Sequence, residues 1–200
     1  AKLLGPDVQL VHPLLTTAEE RAIMAKRGVS YSTSPVGESR RPAAAGVIQL
    51  GELLAAGVKC SLSIDHTTTF NVDFFQVMRM LYSLHQHRLG DKVPVTARRM
   101  VQLATIDGAI DLGIAERTGS LTPGKRADLI LVRTTDINIA PLGDPFESLV
   151  SFAQPQNVDT VMVDGRVLCS EGKLVHVDVA RVIRDAGESA RGIMNRASRA

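Results

Sequence analysis

Two residues stand where charge is hard to explain. In the stretch "CSLSIDHTTTFNVDFF" an alternating apolar run ends on Asp65, followed by His66 and the threonines Thr67 to Thr69. Strand interiors disfavour aspartate, so a carboxylate at the end of such a run is either turn chemistry or a functional group. His12 closes an earlier run, "VQLVHP", in the same way. A carboxylate offers proton acceptance and an imidazole offers proton exchange. A turn-forming aspartate and a histidine bonded to backbone are the plain alternatives.

The remaining candidates for chemistry are fewer. His85 and His87 spell H-Q-H near the end of a helical pattern. On a helix, positions i and i+2 diverge by about 200°, so the pair reads as solvated helix-end residues. Cys60 and Cys169 lie far apart in strand-like stretches, without a CxxC or a Cys/His cluster of zinc-finger spacing. They read as reduced apolar fillers.

The elements that must position these groups alternate. "VQLVHP" reads as a strand, and Thr17 with Glu20 forms a capping box that opens a helix stopped by Gly28. "VSYSTSP" is a second strand and "VGESRRPAAAG" a loop. Val47 to Ala56 is a helix, Val58 to Ile64 a third strand and Val72 to His87 a long helix. Strand and helix in alternation describe a parallel sheet with right-handed crossovers. Beyond Val95 come two short helices, broken at Gly108 and Gly113, then a β-forming run from Ala127 to Val132. A hairpin turns at Asp164-Gly165, and a polar amphipathic helix spans Val177 to Ser198. Three parallel strands and a hairpin leave open sheet edges, so further chain on the N-terminal side is expected.

Composition removes several function classes. A net charge of +2, 4% aromatic residues and no Trp leave neither a basic track for phosphates nor a stacking platform for bases, so no nucleic-acid partner is expected. No apolar run approaches the roughly 18 residues that span a membrane, and the N-terminal apolar stretch is broken by Gly5, Pro6 and Asp7. A cytoplasmic protein with no membrane partner is the expectation.

"GSLTPGKRADLILV" followed by "VDTVMVDGRVL" resembles the C-terminal signature of the amidohydrolase superfamily. The likeness is strongest to its cytosine deaminase, chlorohydrolase and S-adenosylhomocysteine deaminase branch. "ATIDGAIDLGI" resembles the helix ahead of that signature, and "LLAAGVKCSLSID" resembles the eighth barrel strand. The resemblance runs from about Val8 to Leu174. It implies an α/β chain forming the C-terminal part of a (β/α)8 TIM barrel, strands six to eight over Val8 to Ile64, plus the C-terminal share of a small composite β-sandwich. The implied division is residues 1–112 for the barrel part, 113–176 for the sandwich segment and 177–200 for the C-terminal helix.

The resemblance also assigns roles. Asp65 matches the strand-eight aspartate that ligates one divalent metal ion, zinc with iron as the alternative, and takes a proton from the attacking water. His12 matches the strand-six histidine beside the attacked carbon. His66 and Thr67 begin the loop over the barrel mouth, as substrate contacts or as an ordinary polar loop. Two departures stand out. The HxH pair of strand one and the strand-five histidine are not in this sequence, and the strand-seven "SHNP-x-SN" is here "SYSTSPVGES", with Ser32 or Thr33 in place of the histidine. The second departure points away from a nucleobase-type substrate. The implied function is hydrolysis of a C–N bond in a small substrate, by deamination or by amide or amidine hydrolysis, with the chain inactive by itself. Chlorohydrolase-type dehalogenation is one alternative and a non-catalytic half-barrel scaffold another. The chain is expected to form homo-oligomers or to pair with a missing N-terminal part.

Overall fold

The computed structural model describes residues 3–40, 48–66, 71–88 and 95–198. Its first half is a parallel sheet backed by helices. Strands β1 (Gln9–Val11), β2 (Ser30–Thr33) and β3 (Lys59–Leu62) pair in that order, all parallel, with Val11 beside Ser32 and Ser32 beside Ser61. Helix α1 (Ala18–Arg27) joins β1 to β2. The Thr17 side chain accepts from Glu20 N at 3.1 Å, and the Glu20 carboxylate accepts from Thr17 N at 2.8 Å. Gly28, at φ 71°, closes the helix in the left-handed conformation that a Cβ would disfavour.

Between β2 and β3 the sequence reading needs a correction. The segment taken as a loop opens with a short helix, α2 (Pro35–Glu38); residues 41–47 lie outside the described residues. Pro35 at the first helical position fixes φ in advance and lacks only an N–H that would go unpaired there. Helix α3 (Leu50–Ala55) then leads into β3, and α4 (Phe74–Arg88) follows. Met24, Val29, Tyr31, Leu53, Val58 and Cys60 close into one core with Val77 and Leu81 of α4. His85 belongs to that interior, at 1% exposure, which corrects its reading as a solvated residue; His87 is exposed as expected. The core claims one side of α4, and His85 falls on it.

Helices α5 (Ala97–Leu103) and α6 (Ile106–Asp111) pack against β3. An antiparallel sheet follows, ordered β4 (Leu129–Val132), β5 (Val158–Val163), β6 (Arg166–Ser170) and β7 (Lys173–Leu174). Asp164 and Gly165 form the two-residue β5–β6 turn with φ of 52° and 77°, as a type I′ hairpin requires. Helix α7 (Pro145–Ser151) went unread in the sequence although "DPFE" carries its signals. The Asp144 side chain accepts from Glu147 N at 2.9 Å, and Pro145 opens the helix. Arg79 of α4 donates to the carbonyls of Val150, Ser151 and Ala153, which fastens the two helices together. An apolar cavity of about 720 Å³ lies between these helices and the antiparallel sheet, lined by Phe75, Met78, Val101, Val132 and Ile139 among others. The final helix α8 (Val179–Ala197) has no buried residue. No described helix is long and apolar enough to cross a membrane.

Candidate active site

A parallel sheet brings the C-terminal ends of its strands to one edge, and there the structure brings His12 and Asp65 together. His12 follows β1 directly and Asp65 stands three residues beyond β3. His12 Nε2 faces Asp65 Oδ2 at 3.7 Å, with both side chains partly exposed. Both residues have left-handed backbones, φ 64° for His12 and 71° for Asp65. Among the described residues only two other non-glycine residues share a positive φ, Asp164 and Glu171, and both sit in turns of the antiparallel sheet. A left-handed non-glycine residue that no hairpin explains is strain of the kind that collects at functional sites.

A third group completes the cluster. Glu38, at the end of α2, is wholly buried, with its carboxylate 2.8 Å from His12 Nδ1. Thr33 Oγ1 donates to the Glu38 Oε2 at 2.5 Å, and Ser34 N donates to Oε1 at 3.0 Å. The Ser34 hydroxyl is 3.5 Å from the same imidazole nitrogen. A buried carboxylate is tolerable only when polar partners surround it; this one has two donors, Thr33 Oγ1 and Ser34 N, with His12 Nδ1 as a third partner. Below it lies Tyr31, fully buried. Loss of solvent, and then the Glu38 charge, raise its hydroxyl well above the ordinary tyrosine range. Burial likewise pushes the Cys60 thiol up to about 12, with Arg99 pulling the other way.

Sequence reasoning missed Glu38. A glutamate in a stretch with Pro, Gly, Ser and Arg reads as solvated, and its partner His12 is 26 residues away. A usable signal existed: setting Pro35 on the proline of "SHNP-x-SN" puts Thr33 at the histidine and Glu38 at the final asparagine. The other candidates are less informative. His66 is exposed beside Asp65, and Thr67 lies outside the described residues. None of His12, Glu38 and Asp65 lines the large apolar cavity.

A sequence model of the amidohydrolase family matches residues 1–168. The chain belongs to the amidohydrolase family. A 5-methylthioadenosine/S-adenosylhomocysteine deaminase of Moorella thermoacetica is 34% identical over 181 residues, which is 90% of this chain and 42% of that protein. A 5'-deoxyadenosine deaminase of Methanosarcina barkeri is 32% identical over 194 residues, 96% of this chain and 44% of that one. Among solved structures, an adenosine deaminase of Xanthomonas campestris with bound zinc superposes with a TM-score of 0.89 at 27% identity, over 97% of this chain and 44% of that one. An atrazine chlorohydrolase of Arthrobacter aurescens in complex with zinc matches in fold, with a TM-score of 0.78 at 22% identity, covering 92% of this chain and 41% of that one. This amidohydrolase chain thus spans less than half the length of these relatives.

The chemistry of the site suits a metal only in part. Among the described residues no group of three or more His, Cys, Asp and Glu side chains is arranged to hold a metal ion. Asp65 is one hard oxygen donor at the strand ends, and zinc sites ordinarily take three or four protein ligands.

Proposed function

We propose that this chain forms one side of the active site of a metal-dependent hydrolase that cleaves a C–N bond in a small substrate, by deamination or by amide or amidine hydrolysis. The observation that carries the reading is the meeting of His12 Nε2 and Asp65 Oδ2 at the C-terminal edge of a parallel sheet. Active sites of α/β barrels occupy that edge. In this reading β1, β2 and β3 are barrel strands six, seven and eight, and residues 1–112 belong to the barrel. Residues 113–176 belong to a small sandwich, and 177–200 form a terminal helix.

Asp65 would hold a divalent metal, zinc with iron as the alternative, through a carboxylate oxygen. A bound metal supplies Lewis acidity and a water that ionises near neutral pH. Asp65 accepts the proton of the attacking water and passes it to the leaving nitrogen. His12 turns its Nε2 edge to the attacked carbon. His66 and Thr67 border the substrate. The other metal ligands come from chain outside this sequence or from a second subunit, so the site works only within a larger assembly. The deaminase names of the relatives support C–N hydrolysis, and a cytoplasmic setting is part of the same proposal.

The test is mutation in the complete gene product. Asp65→Asn keeps the size and removes the charge and proton acceptor, so kcat should fall by roughly 10²–10⁴. His12→Ala should lower kcat with metal content near the parental level. Parental rates in both variants would refute the assignment. A product with neither metal nor hydrolytic activity would favour the scaffold reading.

A further inference from the structure

We propose that Glu38 is the positioning residue of the site. It holds the proton of the neutral His12 ring on Nδ1 and presents Nε2 as the only ring nitrogen open to substrate.

The hydrogen-bond inventory carries this. Ser34 N can only donate, and it donates to Glu38 Oε1, the same oxygen that lies 2.8 Å from His12 Nδ1. Thr33 Oγ1 donates to the other oxygen. With Glu38 ionised both of its oxygens are acceptors only, and the group facing Oε1 from the imidazole is then an N–H. The far ring nitrogen then fixes itself: with Nδ1 carrying the proton, Nε2 is the edge that points to Asp65 and the strand ends.

The support is built rather than incidental. The Glu38 side chain is wholly buried, whereas that of His12 keeps 18% of its surface open. Glu38 reaches back over one helical turn to the amide of Ser34, which ties its carboxylate to α2 itself. Thr33 belongs to β2, one residue beyond the pair that joins Ser32 to Val11, so strand register sets the second anchor. A side chain held by a strand and a helix turn has little freedom, and the imidazole it bonds inherits that rigidity. Carboxylates behind an imidazole act in this way in other sites, and their loss costs from about 10–100-fold to about 10⁴-fold in activity.

The proposal rests on the functional reading for His12, and the experiment separates the two. The complete gene product is labelled with nitrogen-15 histidine, and the His12 ring is identified as the signal lost in His12→Ala. In the unaltered protein, at a pH where the ring is neutral, Nδ1 should give the protonated, pyrrole-type resonance and Nε2 the unprotonated one. Glu38→Gln, nearly equal in size, should mix the two tautomers, lower kcat about 10–100-fold and change KM less than threefold. A protonated Nε2 in the unaltered protein overturns the proposal whether or not any variant folds. So does a Glu38→Gln variant with an unchanged ring signal and unchanged kcat. If no C–N substrate is hydrolysed by the unaltered protein, the functional reading fails, and the ring resonances still decide what Glu38 does.

Discussion

Cys60 shows how the residues near the site divide into those that react and those that pack. The residue is 2% exposed within β3, five residues before Asp65, and burial pushes the thiol up to about 12. The thiolate is the reactive form, so iodoacetamide at pH 8 should leave Cys60 unmodified in the native protein and label it after denaturation. Rapid native labelling would show that the strand opens. The same burial makes a pH statement. The unfolded thiol ionises near its ordinary value of 9.0 and the folded one at about 12, so the stability it contributes is complete below pH 9. That contribution is lost as pH rises from 9 towards 12, because the unfolded state sheds the proton first. Tyr31, raised by the same cause, adds to the loss above pH 10. Denaturant midpoints at pH 8 and pH 11 should differ less in Cys60→Ala than in the parent protein.

Elements with periodic sequence were legible and those made by contact were not. The three parallel strands, helices α1, α3 and α4 and the Asp164-Gly165 hairpin all follow from alternation, helical spacing and caps. Helix α2 escaped because four residues containing Pro35 and Gly37 carry no periodicity, and with it went Glu38. His85 escaped because only packing decides which face of α4 is covered. Of the candidate site, Asp65 and His12 were legible as charges ending apolar runs, while Glu38 acquires meaning only when β1 and β2 lie side by side. Contact-made order also holds the start of the antiparallel sheet. Buried Asn157 donates to Asp136 at 2.8 Å and to Asn138 Oδ1 at 3.0 Å, and accepts from Asn138 and from Gln154 N. Asn157→Ala should cost about 1–3 kcal/mol by leaving these buried groups unpaired, read as a lower denaturant midpoint. A midpoint shift below a few tenths of that would show that water replaces the amide.

At the scale of the whole molecule, apolar surface remains uncovered. In the three-stranded sheet β1 and β3 are both edges, with Val11 51% exposed, and Val182, Ile183, Ile193 and Met194 of α8 lie open as well. Parallel edges are normally closed or covered. The 200-residue chain produced alone should therefore associate with itself, seen as a light-scattering mass above that of one chain; a sharp-melting monomer at high concentration would contradict this. The left-handed backbones of His12 and Asp65 bear on the same global stability. At ordinary positions alanine is the more stabilising replacement because glycine loosens the unfolded chain. At φ 71° the order should invert, with Asp65→Gly melting above Asp65→Ala, since only glycine adopts that conformation freely. A protein with this inversion holds His12 and Asp65 against its own folding preference. Selection for heat resistance alone would then drift towards glycine at positions 12 and 65, yielding sturdier molecules stripped of the imidazole and the carboxylate that meet at the strand ends.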